Sequence, residues 1–374
     1  MTEEISPVVD IEQQEYIINL GPQHPSTHGV LRFVVSLQGE VIKSLQPHIG
    51  YIHRGIEKMC ESMTYQQIIH LTDRMDYLSA HMNNEAVCLC VEKALGIEVP
   101  ERVKYVRTIL DELTRIASHQ LWWCSFGMDL GAQTCYFYGL RDREKILDIF
   151  EETTGGRLLV SYNTPGGLMW DIHPNFQKRI KEFIKYFRKK LPEYDQLLTG
   201  NVIMHGRTKG IGILSLEDAI NYGITGPTGR GSGFSCDVRK HHPYSAYDKV
   251  NFKEMLYTEG DTFHRYKVRM DEMWESMNIL EQLVDNIPEG DFCAKMKPII
   301  KLPEGEYMQR VESSRGEYDV FIISKGEKYP YRMKFRSPNF CNLAVMNQLS
   351  TGFKIADLIA ISGSIDLVIP DIDR

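Results

Sequence analysis

Two long stretches, residues 61–95 and 101–126, carry apolar side chains at helical spacing, and only the few residues from Gly96 to Pro100 separate them. A glycine just past one helix and a proline at the start of the next stop and restart the chain. The two helices are therefore expected to fold back on each other and pack antiparallel. Further helical patterns at 141–153, 175–191, 261–287 and 342–352 supply neighbours for them. Strand-like writing is confined to two places. Tyr16 to Leu20 reads as a short strand, and Leu31, Phe33, Val35 and Leu37 alternate with Val30, Arg32, Val34 and Ser36, the period of a half-buried strand. Near the other end, 319–324 and 331–335 flank Lys325 to Lys328 as a hairpin. The expected class is α+β, mainly helical: a loosely ordered segment 1–14, a peripheral N-terminal antiparallel sheet over 15–58 with a turn at Gln38 to Glu40, and a helical bundle over 59–374 with a late hairpin at 319–335, all in one compact domain.

With 374 residues and 43% hydrophobic side chains the chain can bury a sizeable core. Its net charge of -7 argues against a nucleic-acid partner, because the one basic run, Lys185 to Lys190, reads as a helix face. No apolar run approaches the ~20 residues of a membrane-spanning helix, and the acidic start is unlike a secretion signal. The eight cysteines contain no C-x-x-C pair. Four-thiolate zinc and iron-sulfur sites usually draw on such pairs, so the chain is expected to hold no metal or cluster of its own.

The residue types that could carry chemistry lie in three segments. The run GPQHPSTHG at residues 21–29 sets His24 and His28 in a Gly/Pro-bounded loop between strands. Imidazoles there either are solvated or give and take protons near neutral pH. On the first long helix, His70, Arg74, Tyr77 and His81 are spaced four, three and four, one stripe at 100° per residue. Such a stripe either faces water or lines a polar cleft. Glycines 223, 226, 229, 231 and 233 suggest a phosphate loop, but no strand leads into them and neither nucleotide-binding glycine pattern is present. A flexible or tightly packed loop with Arg230 and Arg239 as anchors is the expectation.

Several of these segments occur together and in order: GPQHPSTHGVLR at 21–32, PHIGYIHRG at 47–55, DRMDY at 73–77, MDLGA at 128–132, Gly156-Arg157 with PGG at 165–167, Gly226-Pro227 with RGSG at 230–233, DVRK at 237–240 and RGE at 315–317. In this the chain resembles, over nearly its whole length, the 49-kDa subunit, also called the D subunit, of respiratory complex I, NADH-quinone oxidoreductase. That family is related to the large subunit of nickel-iron hydrogenases, and the resemblance implies a bundle of that kind. It also implies that the chain is active as part of a proton-pumping oxidoreductase and not alone. The substrate would be a quinone, menaquinone or ubiquinone. By the resemblance, His28 and Tyr77 hydrogen-bond the quinone headgroup and deliver protons, and Asp129 is the carboxylate paired with that histidine. His24 and Arg74 are further polar residues of the cavity, and Arg54 packs beside the terminal iron-sulfur cluster, which a partner holds.

The implied partners are the cluster-bearing B subunit, the C and I subunits and the membrane-embedded H subunit, with any NAD site on other chains. The implied place is the cytoplasmic side of a bacterial inner membrane, as a peripheral protein. The short N-terminus is expected to leave no room for the C portion that is fused to some relatives. A hydrogenase-like large subunit of a related membrane-bound complex is one alternative. A nickel-iron site would need thiolate pairs, yet the corresponding places, 54–58 and 366–371, have none. A scaffold without chemistry is the other alternative, and His28, Tyr77 and Asp129 together speak against it. One departure stands out: relatives have methionine then histidine after Gly156-Arg157, and this chain has Leu158 and Leu159.

Overall fold

The computed structural model describes residues 15–23 and 28–374. Three antiparallel strands open the described chain, β1 (Glu15–Gln23), β2 (Leu31–Gln38) and β3 (Val41–His48), in the order β1-β2-β3. Helices α1 (Ile56–Cys60), α2 (Tyr65–Thr72), α3 (Ala80–Leu95), α4 (Glu101–Asp129) and α5 (Gln133–Thr154) follow, then the two-residue strands β4 (Asn163–Thr164) and β5 (Gly167–Leu168). Helix α6 (Phe176–Tyr194) leads into shorter pieces, α7 (Val202–Thr208), α8 (Leu216–Asn221), α9 (Gly226–Arg230) and α10 (Val238–His241), before the long α11 (Thr262–Val284). Strands β6 (Gly305–Ser313), β7 (Gly316–Ser324) and β8 (Arg332–Arg336) form a second antiparallel sheet in that order. The chain closes with α12 (Pro338–Ala344), α13 (Met346–Ser350), α14 (Ile355–Ile365) and α15 (Ile369–Asp373).

Two apolar clusters divide the work. The larger gathers α3, α4, α5, α6, α11 and the inner face of the second sheet, with Trp122 and Trp123 of α4 buried at its middle. The smaller presses Leu31, Phe33, Val35 and Leu37, the alternate residues of β2, onto the C-terminal helices α12 to α15. The sheet and the chain end are also hydrogen-bonded: Ile42 N donates to Phe353 O at 2.9 Å and Gly352 N to Ile42 O at 2.8 Å. The mainly helical α+β class and the hairpin β7-β8 are as expected.

Three expectations need correction. The helix expected over 61–95 begins only at Tyr65, after a first break at 61–64 that separates it from α1, and is broken a second time at 73–79. At the second break Asp76 Oδ1 accepts from Leu78 N at 3.1 Å, a local bond that competes with the helical one. Asp73 is turned away as well, its Oδ2 accepting from the backbone N of Ser161 at 2.9 Å. The polar stripe therefore does not exist: His70 and Arg74 are exposed, Tyr77 is half-buried and His81 is enclosed. The late hairpin has a third strand, β6, whose alternation is hidden because the charged Glu312 faces inward. Finally, of the two readings of the glycine-rich stretch the tightly packed one holds, but 226–230 form the short helix α9 where a loop was expected. A Cβ on Gly226 would collide with the backbone oxygen of Arg315.

Arg230 and Arg239 anchor that packing as expected. Arg230 Nη1 bonds Glu312 at 2.7 Å and its Nη2 bonds Glu272 at 2.5 Å, all three side chains enclosed. Arg239 bonds Asp237 at 2.6 Å and Glu112 at 3.0 Å. Burial opposes charge on Glu272, but Arg230 outweighs it and holds that carboxyl well below the usual range.

Candidate functional site

Where the two apolar clusters meet, a cavity of about 500 Å³ is lined by the loop before β2, the segment after β3, the 73–79 turn, the 158–159 loop and the chain end. Its apolar walls are Val30, Ile52, Leu158, Leu159 and Pro370, and its polar groups are His28, Tyr77, Arg54 and Arg74. Few polar groups on a mostly apolar concave wall is the composition of a small-molecule site.

His28 enters with a left-handed backbone, φ 46°, and the next residue, Gly29, has φ 151°. Only glycine fits there: a Cβ would lie 2.7 Å from Ile369 Cβ and 3.0 Å from both Ile52 Cδ1 and Pro370 Cδ. The loop is thus pressed directly onto the chain end, which delivers the His28 ring to the cavity. Across 49 residues of sequence, His28 Nδ1 meets Tyr77 Oη at 3.1 Å, the rings edge to face.

The opposite wall is held by ion pairs and backbone bonds. Beside Tyr77, Asp76 is clamped by Arg315 at 3.2 Å, which also bonds Asp366 at 3.1 Å. Asp73 ties the same turn to the loop bearing Leu158 and Leu159, through Ser161 Oγ at 2.5 Å. The segment 50–53 is fixed by the chain end: Asp373 accepts from Gly50 N at 2.8 Å and Ile52 N at 3.0 Å. Arg54 donates to Arg74 O at 2.9 Å and Pro370 O at 3.4 Å. Burial raises the Tyr77 phenol to about 12, so at neutral pH it carries its proton. Loss of solvation and then the neighbouring Arg74 lower the Arg54 pKa, although this guanidinium stays charged.

The structure thus brings four of the singled-out residues, His28, Tyr77, Arg54 and Arg74, to one cavity. Asp129 is not among its lining residues; it ends α4, partly buried, with Oδ2 3.4 Å from the Cβ position of Gly363 in α14. His24 lies outside the described residues. Val30, Ile52, Leu158 and Pro370 also form the cavity's wall, which residue type alone does not announce. Val30 and Ile52 sit inside motif segments, but nothing local marks Pro370, which comes from the other end of the chain. Among the described residues no three His, Cys, Asp or Glu side chains converge as metal ligands, and no helix is long and apolar enough to cross a membrane.

Comparison with known proteins shows the family. Residues 129–301 and 295–374 match the family described as "Respiratory-chain NADH dehydrogenase, 49 Kd subunit". The chain is 61% identical over 363 residues to the C/D subunit of NADH-quinone oxidoreductase from Phocaeicola vulgatus, covering 97% of this chain and 70% of that one. It is 60% identical to the protein of the same name in Bacteroides thetaiotaomicron, over 97% of this chain and 68% of the relative. Against the D subunit of NADH-quinone oxidoreductase from Bacillus anthracis it is 46% identical, over 97% of this chain and 100% of the relative. The chain therefore belongs to the family of the 49-kDa subunit of the respiratory-chain NADH dehydrogenase, the D subunit of NADH-quinone oxidoreductases.

Proposed function

We propose that the cavity receives the headgroup of the quinone that the complex reduces, menaquinone or ubiquinone. The observation that carries this reading is the His28–Tyr77 contact at 3.1 Å on the wall of an apolar cavity of about 500 Å³. Reducing a quinone to a quinol takes two electrons and two protons, and the oxygens become basic as electrons arrive. Donors aimed at the ring must supply the protons. A phenol that keeps its proton at neutral pH and an imidazole bonded to it form such a pair. When His28 gives up a proton, Asp129 faces less positive charge, a route by which quinone reduction disturbs charge elsewhere.

The electrons come from a partner that bears the terminal iron-sulfur cluster. Leu158 and Leu159, 42% and 38% exposed on the cavity wall, suit burial against that partner. Arg54 on the same rim would favour the reduced, more negative cluster. In this reading the chain sits in the peripheral arm on the cytoplasmic side of the membrane, with the B, C and I subunits and the membrane-embedded H subunit around it.

The cluster's potential provides the test. A neighbouring group that gains one proton per electron shifts a one-electron potential by about 59 mV per pH unit. With leucine at 159 the slope in the purified complex should be well below that value, and Leu159→His should raise it toward the full value. If Leu159→His leaves both the potential and its slope unchanged, this wall does not face the cluster.

A further inference from the structure

Behind Tyr77 lies a second space of about 20 Å³, walled in part by Tyr77, His81, Thr114, Arg143, Phe150 and Leu158. Three polar atoms buried here take no hydrogen bond from the protein: Nδ1 and Nε2 of His81 and Nε of Arg143. His81 is 1% exposed, its ring centroid 5.1 Å from that of Phe150. Burial pushes its pKa down to about 3, so the ring is neutral, with one N–H to donate and one lone pair to accept. Thr114 Oγ1 donates to Leu110 O at 2.7 Å and keeps lone pairs for another donor. A space of at least about 10–15 Å³ with two to four polar partners is what a buried water needs.

We propose that this space holds one buried water shared by His81 and Arg143, and that Arg143, held there by it, is a positioning residue whose charge offsets the negative charge left on Tyr77 when its proton passes to the quinone. The inference rests on the reading of Tyr77 as a proton donor. In that step the O–H bond of Tyr77 breaks and an O–H bond forms on a quinone oxygen. The electrons come from the NADH side of the complex, and the phenol oxygen keeps the pair of the broken bond. Arg315 also stands near Tyr77, but its charge is taken up by Asp76 and Asp366. Arg143 has no carboxylate partner among the described residues and is itself disfavoured as a cation by burial. Glu144 on the same helix offsets that burial only in part, and a transient negative charge on Tyr77 adds the counter-charge on the cavity side.

The assembled complex tests this in two ways. A map of the unaltered complex that resolves waters should show a single peak within hydrogen-bond distance of a His81 ring nitrogen and Arg143 Nε; a dry space overturns the proposal. In steady-state assays Arg143→Met should lower kcat about tenfold with KM for quinone within about twofold, and Arg143→Lys, which keeps the charge, should recover most of the loss. If Tyr77→Phe lowers kcat but Arg143→Met does not, the role given to Arg143 is wrong and the headgroup reading stands. If Tyr77→Phe leaves kcat unchanged, the headgroup reading fails and this inference with it.

Discussion

Replacing Tyr77 with phenylalanine should lower quinone reductase turnover about a hundredfold, at the low end of what a positioned proton donor contributes, while the complex still assembles. The substitution removes one oxygen and keeps the ring. That oxygen's bond is to His28 Nδ1 at 3.1 Å, so no backbone contact is lost with it. In the proposed reading His28 is left as a donor, so the loss is expected to stay at the low end. Affinity should change far less than turnover, since one hydrogen bond to a bound ring is worth only about 1 kcal/mol. Turnover of quinone by the purified complex, beside an assay of NADH oxidation with an artificial acceptor, separates loss of the donor from loss of assembly. Full turnover would remove Tyr77 from the chemistry.

Replacing Arg315 with leucine should be the most destabilising change near the site. Its Nη1 donates to Ser118 Oγ at 2.9 Å and Ser314 Oγ at 2.8 Å besides pairing with Asp76, and its Nη2 reaches Asp366. Burial works against this guanidinium, but Asp366 and Asp76 outweigh it and hold its pKa above the ordinary value. Without it, two enclosed carboxylates face each other with no cation between them. Breaking a buried pair in this way costs about 3–5 kcal/mol.

The loss should depend on pH, and its sign follows from Asp76. Burial already raises that carboxyl's pKa even with Arg315 present, and removing the cation raises it further. The folded variant then binds a proton that the unfolded chain releases, so its stability falls as pH rises through that range. The thermal inactivation midpoint of the complex should drop by several degrees, more at pH 8 than at pH 5. An unchanged midpoint would mean that the pair is not part of what fixes the Tyr77 turn.

The parts of this fold that were legible in the sequence are those whose reasons are local. The alternation of β2, which buries one face, and the helical spacing of apolar residues in α4 and α11 are written within the segments themselves, although α4 proves to be enclosed on all sides over 106–120. The break at 73–79 was not legible, since the local Asp76–Leu78 bond is joined there by ties of Asp73 to Ser161 and of Asp76 to Arg315, far along the chain. For the same reason His81 read as part of a polar stripe and proves to be enclosed. His28 and Tyr77 could each be singled out by residue type and by resemblance, yet nothing in the sequence gives the distance between them. The cavity that joins them needs Pro370 and Asp373 from the last helix, whose contribution no local pattern announces.

The most direct measurement is a map of the assembled complex with quinone bound. The headgroup is expected in the cavity walled by Val30, Ile52 and Leu158, with a ring oxygen within hydrogen-bond distance of Tyr77 Oη or a His28 ring nitrogen. A headgroup bound elsewhere, with this cavity filled by a partner's side chains, would contradict it.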